Sequence, residues 1–245
     1  MRRFFLKTPL ADEMVIGEQD ARHIGKVLRL QVDDRIVVVA FDGQAGIAKI
    51  KELTANQVKL SLEGILEEEK EAPICVYLAQ GLPKSDKMDY IIQKAVELGV
   101  TAVYPIQMEH CVVQYDNAKK NTRRERWQKI SIEAAKQCGR TVVPYIESIQ
   151  NLEEFFANLP DGVVVIMLYE GQASQGLKQA LAGRPAATSY LLLVGPEGGF
   201  SDKDILICQK YGALIVTMGP RILRTETAAL AGVAMIMYEY GDMGG

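Results

Sequence analysis

SYLLLVGPEGGFSDKD (189–204), continued by ILICQKYGALIVTMGPRILRTETAA (205–229), sets the architecture of the chain. Two apolar runs, Tyr190–Val194 and Ala213–Met218, read as strands, and each ends in a glycine-bearing loop that feeds a helix. In an open α/β sheet, ligands sit outside the carboxyl ends of strands. Two such loops therefore read as walls of one cofactor pocket. The first, Gly195-Pro196-Glu197-Gly198-Gly199, matches neither the dinucleotide fingerprint nor a phosphate loop. Its glycines permit positive φ and close backbone approach; taken alone it also suits a plain tight turn. Ser201 and Asp204 resemble a capping box, so a helix should start there. In the second loop Gly219-Pro220 breaks the strand, Arg221 and Arg224 sit three apart, and Thr225 or Thr227 can cap the next helix. Ile222 and Leu223 placed among charges suit a flat, mostly apolar ligand with a few polar groups.

At 245 residues the chain is long enough for two domains or one large one. Its 48% hydrophobic and 24% charged content is ordinary for a soluble protein. A net charge of −3 rules out a polycation, so any nucleic-acid contact must use local basic patches. Cys75, Cys111, Cys138 and Cys208 form no CxxC, and with two histidines there is no zinc set. They read as reduced, mostly buried cysteines of a cytosolic protein. Lys7, Pro9 and Asp12 interrupt any signal-peptide core, and Ala228–Tyr238 falls short of the ~20 apolar residues that span a bilayer. The expectation is a soluble, cytoplasmic protein without a metal.

The first 65 residues read as β-rich, with strands at Arg35–Phe41, Ala45–Leu53 and Gln57–Leu62 that suggest a small barrel. Before them, residues 22–29 look helical, with Ile24, Val27 and Leu28 inward and Arg22, Lys26 and Arg29 outward. That basic face is either ordinary solvated surface or a contact for phosphates. The charged run Leu66–Pro73 reads as an interdomain linker. From Ile74 strands and helices alternate: Ile74–Gln80, a helix over Lys84–Leu98, and Thr101–Ile106. Lys119, Lys120, Arg123, Arg124 and Arg126 form the most basic segment. Trp127, Ile130, Ala134 and Cys138 recur at helical spacing, which favours a core tryptophan over a base-stacking platform. The cations outside that face are a solvated surface or a phosphate track, the reading preferred here. Val163–Leu168 is a further buried strand, so Leu168–Gly171 is a candidate third wall. The last helix, Thr225–Tyr240, is apolar nearly all round and must be buried within the fold or against a second subunit.

VGPEGGFS (194–201) followed by MGPRILRTETAA (218–229) resembles the paired signature of the RsmE-type 16S ribosomal RNA uracil-N3 methyltransferases, members of the SPOUT (trefoil-knot) class. The likeness extends through LPKSDKMDYIIQKAVELGV, RWQKISIEAAKQCGR and RHIGKVLR, and so covers most of the chain. Two departures stand out: Glu109-His110-Cys111 where the family usually has Glu-Arg-Ser, and Cys138 where it often has serine. The resemblance implies an α/β protein with an N-terminal PUA-like RNA-binding β-barrel (1–70) and a SPOUT methyltransferase domain (74–245) carrying a C-terminal trefoil knot. It also implies S-adenosyl-L-methionine as cofactor, 16S rRNA or the small ribosomal subunit as partner, and a homodimer through the C-terminal domain.

On that basis the cofactor candidates are Leu168, Gly195, Pro196, Glu197, Gly198, Met218, Gly219, Ile222, Leu223, Arg224 and Thr227. Uridine N3 must lose its proton before it attacks, and a cation beside the developing anion favours this. Arg224 is the first choice, with Arg221 and Arg140 behind it; Glu197 either acts as a base or only ties its loop to an arginine. RNA contacts are expected from Arg2, Arg3, Arg22, His23, Lys26, Arg29, Lys84, Lys119, Lys120, Arg123, Arg124 and Arg140. Competing readings are a ribose 2′-O methyltransferase of the same class and a non-catalytic RNA-binding protein. A nucleotide-dependent oxidoreductase ranks lower, because no G-x-G-x-x-G follows a strand.

Overall fold

Alternating β-branched residues and short turns give the first seventy residues their strands, and a computed structural model describes them along with the rest of residues 1–171, 175–182 and 188–244. The elements are β1 (Arg3–Phe5), β2 (Glu13–Ile16), α1 (Glu18–Arg22), β3 (Arg35–Val39), β4 (Ala45–Leu53) and β5 (Val58–Leu66). They make one sheet in the order β1-β3-β4-β5-β2, antiparallel except for the parallel β1–β3 pair. One face packs Phe4, Met14, Ile16, Ile36, Val38, Ile50 and Leu60 around Ile24. The helix beyond α1 departs from the expected register. His23–Val27 is a π-helix whose Leu28 N–H reaches the His23 carbonyl at 3.0 Å. The wider turn carries Val27 off the inward face, leaving it 66% exposed, while Ile24 stays buried.

By contact density the chain divides into Met1–Glu71 with Ala135–Val143, and Ala72–Ala134 with Pro144–Gly245. The second unit holds β6 (Cys75–Gly81), α2 (Lys87–Glu97), β7 (Ala102–Gln107), α3 (Asn117–Cys138), β8 (Tyr145–Ile146), β9 (Gln150–Asn151) and α4 (Leu152–Ala157). It continues with β10 (Val164–Leu168), β11 (Gln175–Gly176), α5 (Leu177–Ala182), β12 (Ser189–Val194), α6 (Asp202–Lys210), β13 (Leu214–Thr217) and α7 (Thr225–Tyr240). The last residues of α3 count with the first unit.

Its strands are parallel, in the order β11-β13-β10-β12-β6-β7-β8, with β9 also on β7. Continuous apolar runs such as Leu191–Leu193 are fully buried, as a sheet covered on both faces requires. Trp127 is core, 2% exposed, and its indole N–H donates to Asp89 at 3.1 Å. Cys138, expected inside, is exposed: it is the last residue of α3, one turn beyond the buried Ala134. Helix α7 packs on β12 and β6 and against α2. Its seat depends on Gly232, where a Cβ would stand 2.6 Å from Leu192 Cδ2 and 3.1 Å from Leu168 Cδ1. Among the described residues, no helix is long and apolar enough to cross a membrane.

Candidate active site

β6, β10, β12 and β13 lie side by side and in parallel, so their carboxyl ends deliver their following loops to one edge of the sheet. There a crevice opens, with two adjoining chambers that share Leu168, Glu170, Ile222, Leu223 and Ala228. The larger, about 320 Å³, is lined also by Lys87, Val194, Gly195, Pro196, Glu197, Arg224 and Thr225. The smaller, about 70 Å³, adds Tyr169 and the run Thr217–Arg221. All three expected strand-end loops therefore contribute.

The first loop is held from several sides. Gly199 takes φ +69°, and Phe200 is buried behind it. Ser201 and Asp204 complete a reciprocal capping box that starts α6. The Thr225 hydroxyl donates to the Gly195 carbonyl at 2.6 Å and accepts from Gln80 Nε2 at 2.8 Å. Gln80 is fully buried at the end of β6. Neither Thr225 nor Thr227 caps α7: Arg224 is the N-cap residue and gives no side-chain bond, and the Thr225 hydroxyl is used across the site instead. Thr227 is exposed and lines neither chamber. Gly198 is also off the lining; its carbonyl lies 3.0 Å from His110 Nδ1.

Glu197 binds a lysine rather than an arginine. Its carboxylate accepts the Lys84 backbone N–H at 3.1 Å and pairs with Lys87 Nζ at 2.9 Å, and Lys87 also pairs with Glu226 at 3.1 Å. Burial raises the Glu197 carboxyl, but Lys87 and the backbone N–H groups outweigh it, holding the group below its ordinary range. Its ion pairs with the same two carboxylates raise Lys87. On the other wall Arg221, Ile222 and Arg224 are exposed, Ile222 at 84%.

Lys87 and Gln80 escaped sequence reasoning. Lys87 looks like any first-turn lysine. A glutamine ending an otherwise apolar strand was the one available signal for Gln80, since a buried amide implies fixed hydrogen-bond partners. Cys111, one of the departures, is buried; its sulfur takes the Met108 N–H at 3.3 Å, and burial pushes its thiol upward.

Of the expected RNA contacts, Arg2, Arg22, Lys26, Arg29, Lys84 and Lys119 are exposed, and His23, Lys120, Arg123 and Arg124 are half-buried. Arg22 pairs with Glu18; Arg123 lies over the Tyr115 ring and Arg124 over Tyr145. Two positions must be corrected. Arg3 and Arg140, 9% and 7% exposed, are taken up by Glu68 at 2.6 Å and Glu71 at 2.5 Å. The supposed linker thus supplies carboxylates that neutralise buried arginines. Among the described residues no three His, Cys, Asp or Glu side chains gather to hold a metal.

The chain is similar to known proteins over nearly its whole length. The family model for the RNA methyltransferase domain matches residues 70–237, and that for the RNA methyltransferase PUA domain matches 16–63. The chain is 33% identical to ribosomal RNA small subunit methyltransferase E of Bacillus subtilis over 98% of this chain and 97% of the relative. This chain belongs to that family. A solved ribosomal RNA small subunit methyltransferase E from Neisseria gonorrhoeae, bound to S-adenosyl methionine, superposes with TM-score 0.91 at 32% identity, covering 99% of both chains. A putative methyltransferase from Legionella pneumophila, in complex with the same cofactor, gives TM-score 0.86 at 28% identity over 98% of both chains. Family membership makes residues 16–63 part of a PUA domain and residues 70–237 an α/β methyltransferase domain.

Proposed function

We propose that this chain uses S-adenosyl-L-methionine to methylate N3 of a uridine in 16S ribosomal RNA of the small subunit. The observation that carries the reading is the crevice, into which three strand-end loops bring apolar walls, backbone groups and charge together. Its chemistry fits the donor. Leu168, Val194, Leu223 and Ala228 offer an apolar surface, the Gly195–Pro196 backbone offers polar groups, and Glu170 offers negative charge to a cationic ligand. When bound, the cofactor supplies a methyl group on positively charged sulfur. The chain's task is orientation and charge stabilisation.

Arg224 lines the crevice and stabilises the negative charge that develops on the uracil as N3 loses its proton, with Arg221 further along the loop. Glu197, with its carboxylate already engaged by Lys84 and Lys87, holds its loop. Gly198, Met218, Gly219, Ile222 and Leu223 complete the two loops. Phosphates of the RNA meet Arg2, Arg22, His23, Lys26 and Arg29 on the first unit, and Lys84, Lys119, Lys120, Arg123 and Arg124 on the second.

The C-terminal chain is threaded as a trefoil knot. A strand β13 outside β10, followed by a helix on β12 and β6, supports that path. The protein is a homodimer through its C-terminal domain, and the exposed Met235 and Tyr238 of α7 support such a contact. Free thiols at Cys75, Cys111 and Cys208 suit the cytoplasm.

The test is to treat small subunits from a strain lacking the protein with enzyme and labelled donor, then map the label by mass spectrometry. A methyl on uracil N3 is expected. Label on a ribose hydroxyl, or none, overturns the assignment.

A further inference from the structure

Lys87 opens α2, and its ammonium reaches two carboxylates on different parts of the crevice. Glu197 belongs to the first loop, at 2.9 Å; Glu226 lies in the first turn of α7, at 3.1 Å. The three side chains are 31%, 25% and 17% exposed, so the pairs are only partly screened by water. Lys87 itself lines the larger chamber. Glu226 directly follows Thr225, whose hydroxyl holds the Gly195 carbonyl. The start of α7 therefore grips the first loop twice: through a buried neutral hydrogen bond, and through the lysine.

We propose that Lys87 is a positioning residue, a latch that fixes the first loop against the start of α7 and so sets the width of the space the methyl donor fills. The proposal rests on the reading of this crevice as the donor site. Two facing carboxylates neutralise the lysine, which makes it a poor partner for an anion on the acceptor base. Among the described residues no hydrogen bond or ion pair engages the Arg224 side chain, so that role falls to Arg224. A latch acts before the chemical step. Its loss weakens donor binding because the loop must be ordered at the moment of binding, and leaves turnover at saturating donor nearly intact.

The experiment is calorimetric titration of S-adenosylmethionine into wild type, K87M and K87R, with donor-varied methylation kinetics on small subunits. For K87M, Kd and KM for the donor should rise roughly 3- to 30-fold, the loss expected of two half-buried ion pairs. Its kcat should stay within about twofold. K87R, which keeps the charge and reaches both carboxylates, should recover most of the affinity. A K87M protein that binds donor like wild type overturns the latch, as does a fall in kcat at unchanged Kd. Should K87M fail to fold, the E197Q/E226Q double variant, which keeps Lys87 and removes both partners, must show the same loss of affinity or the proposal fails. A wild type that binds no donor overturns the site reading and the latch with it. That result is distinct from a wild type and variant that bind equally.

Discussion

The loops after β12 and after β13 line the same crevice, and they are held in opposite ways. In the first, Pro196, Gly199 and Phe200 are buried, and Gly195, Glu197 and Gly198 each meet a partner from another element. In the second, Arg221, Ile222 and Arg224 are exposed, and among the described residues its backbone accepts a side-chain bond only locally, from Thr217 Oγ1 to the Gly219 carbonyl at 3.1 Å. One wall is therefore fixed before any ligand arrives. The other keeps its charges uncommitted for what approaches from solvent. Fixed dipoles set the shape of a site without reorganising during reaction, whereas uncommitted cations serve an incoming polyanion.

The largest expected effect lies on the open wall. Arg224→Ala should lower kcat by about 10²–10³, the loss typical of removing one stabilising donor, with an unchanged thermal midpoint. Methylation kinetics and calorimetry check both halves of that statement. On the fixed wall the cost should appear as lost structure. A Cβ at Gly81 would stand 2.6 Å from Pro196 Cδ and 2.7 Å from its nitrogen. Gly81→Val should thus cost about 1–3 kcal/mol of stability in denaturant unfolding and weaken donor binding with it.

A smaller effect is tied to pH. Because the folded-state carboxyl of Glu197 is depressed below its usual 4.5, its contribution is fully present above that value and is lost as pH falls through the folded one. Thermal midpoints of wild type should therefore drop below about pH 4.5 more steeply than those of Glu197→Gln. The smallest effect is expected at Ile222. Exposed at 84%, it should tolerate serine within about 0.5 kcal/mol in the same unfolding assay, while donor affinity falls. Equal tolerance at Gly81 would erase the contrast between the walls.

Features set by neighbours in sequence were legible. The Ser201–Asp204 capping box begins α6 where the spacing predicts, and α7 runs over Thr225–Tyr240 as its apolar composition requires. The strand-end loops gather because parallel strands leave them no other edge. Features set by distant partners were not legible. Nothing near Arg3 or Arg140 announces that Glu68 and Glu71 will neutralise them. Thr225 has the spacing of a cap, but its hydroxyl bridges Gln80 and Gly195, which only the folded sheet brings close. Val27 was misassigned because a π-turn spends one more residue per turn than the α-helical period assumes.

The order in which the crevice's residues occur along the chain has its own consequence. Gln80, Lys87 and Gly195 all precede Thr225 and Glu226, and it is these two that pull the others into register. During synthesis the ribosome would release nearly the whole sheet before the pocket's final side is made. An unfinished chain would therefore have no way to capture the small molecule that its completed form consumes.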